Sequence, residues 1–143
     1  MSQATFRCQV HASAETLWNI LIDEAERPDS FSDTIKNSKI LERFHNGLLR
    51  SVQVPDAEVR EKIIFDFNAK TITSNLVGHP QLVGIIKKTF REDPTQPGVQ
   101  ILENSLEWES NDNRVEAMLK RNVANFVMDS LDHVKNKAEA SSL

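Results

Sequence analysis

The sequence predicts an α+β fold in which a curved antiparallel sheet of about seven strands wraps around one long C-terminal helix. Three observations carry that expectation. Six short strand patterns run back to back from Ser38 to Trp108, and each connection between them is too brief for a parallel crossover. A single strand, a helix and a short helical turn precede them. From Asn113 an amphipathic pattern then runs to about Lys137, on the order of 36 Å at 1.5 Å per residue. The sheet is the only surface large enough to receive that helix.

Taken in order, residues 4–11 alternate, with Phe6, Cys8 and Val10 on one face, as a half-buried strand does. Ser13 can cap the next helix by accepting from the amide of Thr16, and Glu15 suits its positive end. Ala14, Leu17, Trp18, Leu21 and Ala25 then form one apolar stripe, and Pro28 ends the helix. Residues 29–36 suit one further helical turn with Phe31 and Ile35 inward. Ile40–His45 and Leu48–Val54 flank Asn46-Gly47, a pair expected to form a type I′ turn with positive φ angles. Strands follow at Val59–Phe67, Thr71–Val77, Leu82–Phe90 and Val99–Trp108, separated by Asn68-Ala69-Lys70, Gly78-His79-Pro80 and the loop Asp93–Gly98. Asn113 with Glu116 resembles a capping box. Val115, Met118, Leu119, Val123, Phe126, Val127, Leu131 and Val134 supply the apolar stripe of the last helix, and residues 138–143 are expected to fray.

A chain of 143 residues suits one domain over 1–143. Its mix of 39% apolar and 27% charged residues is that of a globular protein rather than a disordered one. With 17 basic and 21 acidic side chains the net charge is −4, which argues against nucleic acid as a partner. No apolar run reaches the roughly 18 residues of a membrane span, and no signal segment is evident at the start. The one cysteine, Cys8, cannot form an internal disulfide, so a reducing cytoplasm is the expected setting. Its alternating context reads as a small buried hydrophobe. The histidines show no metal-ligand spacing, no phosphate loop or nucleophile elbow occurs, and neither metal nor cofactor is expected.

The layout, with Ser13-Ala14-Glu15-Thr16-Leu17-Trp18 opening the first helix, resembles the SRPBCC superfamily over about residues 4–137. That group contains the START lipid-transfer domains, the birch-pollen-allergen-like proteins and the polyketide cyclases, all with the helix-grip fold. Asn46-Gly47-Leu48-Leu49-Arg50, Val59-Arg60-Glu61-Lys62-Ile63 and Gly78-His79-Pro80 with Gly84 look most like an uncharacterised single-domain bacterial and fungal subgroup. The resemblance implies a hydrophobic cavity between the sheet and the last helix. It implies no single activity, because one fold hosts many.

Within such a cavity Arg50 and Glu61 stand out. Alternation puts Arg50 beside Leu48, Val52 and Val54, and Glu61 beside Val59, Ile63 and Phe65, so two charges lie on apolar faces of neighbouring strands. Buried charges are normally paired, and the two are expected to meet. They would either anchor a ligand's polar group or form a structural ion pair. Asn104 and Asn122 could each place an amide in the cavity, and Trp108 and Phe126 could line it. His79, before a proline at a strand break, is a candidate general base. Lys87 and Lys88 read as a solvated basic pair.

Three functions follow as expectations. The first is a protein that holds a small hydrophobic or aromatic molecule, anchored by Arg50 and Glu61. The second is an enzyme of the cyclase or dehydratase kind, with His79 or Glu61 carrying a proton and Arg50 stabilising charge. The third is an interaction domain with a filled core that binds a client or a second copy of the chain through its outer sheet face or helix.

Overall fold

A computed structural model describes residues 2–33, 35–54, 57–78 and 82–141; side chains at 2, 54, 57, 82, 115, 116, 118–124 and 126 lie outside the description. Strand β1 (Ser2–Val10) leads into helix α1 (Ala14–Glu26), followed by a 3₁₀ turn at Pro28–Ser30. Six strands follow: β2 (Asn37–Phe44), β3 (Gly47–Val54), β4 (Ala57–Asp66), β5 (Thr71–Val77), β6 (Leu82–Glu92) and β7 (Gln100–Ser110). Helix α2 (Asn113–Ser141) closes the chain.

All seven strands join one antiparallel sheet in the order β1-β7-β6-β5-β4-β3-β2. The six later strands form a meander, and β1 adds to its far edge beside β7. Helix α2 packs on α1, β1 and β7. The sequence order therefore gives the helix-grip arrangement that was expected.

Local chemistry explains the boundaries. Ser13 Oγ accepts the Thr16 amide at 3.1 Å and starts α1. Its stripe buries Leu17 and Leu21, and the helix stops where Arg27 leaves helical angles before Pro28. Phe31 and Ile35 turn inward as expected, at 1% and 5% exposure. Helix α2 runs past Lys137 to Ser141 rather than fraying from 138. The reason is packing: Ala138 is fully buried, Glu139 accepts the His11 amide at 2.9 Å, and Lys135 pairs with Glu139.

The β2–β3 hairpin forms where expected but by another mechanism. Phe44 pairs with Gly47, so the loop residues are His45 and Asn46, and neither has positive φ. A type I′ turn needs positive φ at both. The register also slips between Ile40 and Glu42, leaving Leu41 bulged outward. Gly47 is required for a different reason. A Cβ there would stand 1.9 Å from the carbonyl oxygen of Ile63 on β4.

The apolar interior falls into two clusters. The larger gathers α1, residues of β1 and β3–β7 and the end of α2 around Leu17, Leu21, Phe31, Ile63, Leu102 and Val134. The smaller contains Leu106, Trp108 and Val127. On β7 the residue between Leu102 and Leu106 on that inward face is Asn104.

Candidate functional site

Asn104 marks a polar region set between the two apolar clusters. A cavity opens there, between the end of α1, the concave face of β3–β7 and α2. Water centres have about 40 Å³ to occupy, room for about three waters at 10–15 Å³ each. Leu21, Phe31, Ile63, Ile72, Ile86 and Val127 give it apolar walls. Its polar lining comes from Glu24, Arg50, Glu61, Ser74, Lys88, Asn104 and Ser130.

Arg50 and Glu61 meet, as their alternation predicted. They are direct cross-strand partners, and Arg50 Nη2 and Nε reach Glu61 Oε1 at 3.0 and 3.2 Å. The second Glu61 oxygen accepts from Ser74 Oγ at 2.5 Å. Arg50 Nη1 also donates to the backbone carbonyls of Ala25, at 2.9 Å, and Glu24, at 3.3 Å. These carbonyls end α1, so the guanidinium caps the negative end of the helix and ties it to the sheet. The pair thus carries a structural duty whatever else it does.

A second charge pair was not foreseen. Lys88 is not a solvated neighbour of Lys87: its side chain is 18% exposed and pairs with Glu24, itself 5% exposed. Ser130, on α2, donates to the other Glu24 oxygen. Lys88 shares the inward face of β6 with Ile86 and Phe90, the same alternation that exposed Arg50. Glu24 stands on the α1 stripe three residues after Leu21, and Ser130 between Val127 and Leu131 on α2. Burial pushes the Lys88 ammonium down to about 7, within reach of a proton carrier at neutral pH.

That shift has a measurable consequence. The unfolded lysine keeps its proton to about 10.5, whereas the folded one releases it from about 7. The unfolded state therefore binds more protons in that window, and stability rises with pH across it. The slope from this group is at most about 1.4 kcal/mol per pH unit. Urea midpoints measured from pH 7 to 10 are expected to climb in the native protein relative to Lys88→Met. Parallel curves for the two would contradict the lowering of the Lys88 pKa by burial.

Asn104 is 2% exposed, and its Oδ1 has no partner among the described residues. The same holds for Trp108 Nε1, in the smaller cluster. His79 lies outside the described residues, as do the side chains of Asn122 and Phe126. Cys8 is half-buried, and burial raises its thiol, which suits a hydrophobe better than a nucleophile. No group of metal-ligating side chains occurs among the described residues, and none of their helices is long and apolar enough to cross a membrane.

No protein-family model matches this chain, and no curated protein matches its sequence. Solved structures do. The Zhui aromatase/cyclase from Streptomyces sp. R1128 superposes with a TM-score of 0.84 at 15% identity, over 96% of this chain and 93% of its own. The XoxI protein of Bacillus cereus gives 0.75 at 18% identity, over 96% of each chain. The di-domain ARO/CYC BexL from the BE-7585A biosynthetic pathway gives 0.74 at 15% identity, over 97% of this chain and 47% of its own. At such identities the likeness establishes the fold alone, the helix-grip arrangement of a curved antiparallel sheet around a C-terminal helix.

Proposed function

We propose that this protein binds a small, mostly apolar molecule in the cavity between the sheet and α2. The observation that carries the reading is a cavity with apolar walls and a few polar groups, left unfilled between the two apolar clusters. Small-molecule sites combine apolar walls with a few placed polar groups in this way. Several structural neighbours are aromatases or cyclases, which lends support to a small molecule as the partner. A filled-core interaction domain fits less well, because the space between the two apolar clusters is not filled.

Of the polar anchors the sequence suggested, Arg50 and Glu61 are the less available to a ligand. Glu61 and the donor groups of Arg50 are committed to each other, to Ser74 and to α1. Asn104 and Lys88 are the better anchors. Binding of ethanol, about the volume of three waters in the liquid, tests the proposal. Ethanol titrated into the ¹⁵N-labelled protein should shift the backbone amides of β6 and β7, and Ile86→Phe should weaken its affinity at least tenfold at unchanged circular dichroism. Overpacking of that kind costs about 1–3 kcal/mol of stability, so the variant remains folded. Ethanol affinity indifferent to Ile86→Phe would refute the cavity as the site.

One observation favours a second reading, an enzyme of the cyclase or dehydratase kind. Lys88 and Glu24 form an acid–base pair inside the cavity, with the lysine brought down to about 7. In that reading Lys88 and Glu24 take the proton-carrying role first considered for His79 or Glu61.

A further inference from the structure

The Lys88–Glu24 pair sets an amine and a carboxylate side by side at the cavity wall. We propose that Lys88 takes a small aldehyde covalently, as a protonated imine held against Glu24; this rests on the binding reading above.

Placement comes first. Lys88 extends inward from β6 and Glu24 from α1, and their ion pair bridges the gap between sheet and helix in which the cavity lies. Both residues line that cavity. The Lys88 side chain is 18% exposed and that of Glu24 5%, so the lysine is the more accessible half of the pair. Burial brings its ammonium down to about 7. At pH 7.5 more than half of it is then the neutral, nucleophilic amine, against roughly 0.1% for an ordinary lysine.

The carboxylate can carry the protons of the reaction. One Glu24 oxygen accepts from Lys88 Nζ, and the other accepts from Ser130 Oγ. Glu24 takes one proton from the ammonium, and the freed nitrogen lone pair attacks the aldehyde carbon. The C–N bond forms, the carbonyl electron pair moves onto oxygen, and a second nitrogen proton passes to that oxygen. Glu24 then returns its proton to the new hydroxyl, the C–O bond breaks and water leaves. The nitrogen lone pair closes the C=N bond. The product keeps one N–H and the positive charge, and Glu24 is again a carboxylate.

Charge and size select the class of reagent. The other charged groups lining the cavity among the described residues, Arg50 and Glu61, are paired with each other. A protonated imine preserves the match between position 88 and Glu24. Acylation would turn the ammonium into a neutral amide, and carbon dioxide would turn it into an anionic carbamate. Either would leave Glu24 an unmatched buried carboxylate, which is strongly disfavoured. Space for about three waters, roughly 90 Å³ of liquid, limits the aldehyde to about three heavy atoms.

Acetaldehyde is a probe of that size. The whole chain is incubated with it at pH 7.5 in the presence of cyanoborohydride, whose hydride reduces the imine to a stable N-ethyl lysine. Peptide mass mapping over time locates the product. Lys88 is expected to be modified at least tenfold faster than Lys87, its exposed neighbour. Ile86→Phe, which fills the cavity, should slow Lys88 at least tenfold and leave Lys87 unchanged. If Lys88 reacts no faster than Lys87 while ethanol still shifts the β6 and β7 amides, the covalent inference is overturned and the binding reading stands. Fast reaction of Lys88 that is indifferent to Ile86→Phe would overturn it too, because the aldehyde would then arrive from outside the cavity. If ethanol shifts nothing and Lys88 reacts no faster than Lys87, both fail together.

Discussion

Replacing Arg50 by methionine is expected to destabilise the protein by about 3–5 kcal/mol, the usual result of removing one partner of a buried pair. On a chain of this size that corresponds to roughly 10–20 °C in Tm. The loss has two sources. Glu61, with its side chain 14% exposed, keeps a carboxylate that no cation neutralises. The carbonyls of Glu24 and Ala25 lose their donor at the negative end of α1. The double variant Arg50→Met/Glu61→Met removes the first source and leaves the second, so it should recover at least half of the loss. Urea midpoints of the three proteins decide the matter. A single variant within about 0.5 kcal/mol of the native protein, the range of an ordinary surface change, would show that the pair braces nothing.

The second large effect is expected at Gly47. Alanine there would put a methyl group 1.9 Å from the Ile63 carbonyl oxygen, where no flexible side chain can give way. The β3 and β4 backbones must part, and the ladder bonds on either side weaken with them. A cost of about 3 kcal/mol or more follows, at the upper end of overpacking effects. Gly84 supplies the control. Its added Cβ would meet the Glu107 carbonyl at 3.7 Å, an ordinary contact, and alanine suits a strand better than glycine. Gly84→Ala should therefore stay within about 1 kcal/mol of the native protein. Equal midpoints for the two variants would mean that the approach of β3 to β4 is not close.

These residues also show what could be read from the sequence. The fold was legible because its elements are local: alternation, one cap, prolines and turns mark nearly every boundary. Arg50 and Glu61 were legible because period two assigns faces, and face-sharing charges on neighbouring strands must pair. The same rule reaches Lys88 through Ile86 and Phe90, but two adjacent lysines suggest solvent. Glu24 and Ser130 escaped for a stronger reason. Their partners lie 64 and 106 residues away, and nothing local announces which buried polar groups will converge. Gly47 was placed in the right turn for the wrong cause, since close strand approach leaves no trace in turn composition.

The wide spacing of the groups around Glu24 has a consequence for the order of folding. Its backbone carbonyl is bound by Arg50 across 26 residues, while its carboxylate waits for Ser130 across 106. Loop closure makes the second contact about 1.2 kcal/mol more costly in chain entropy than the first. The end of α1 can therefore seat on the early hairpin before α2 arrives. Until it does, one oxygen of a carboxylate in the forming core lacks the hydroxyl that α2 brings. The docking of the last helix is thus tied to the completion of a polar group and not only to the burial of an apolar stripe. A chain stopped short of Ser130 would hold the hairpin and α1 together while leaving that oxygen to water.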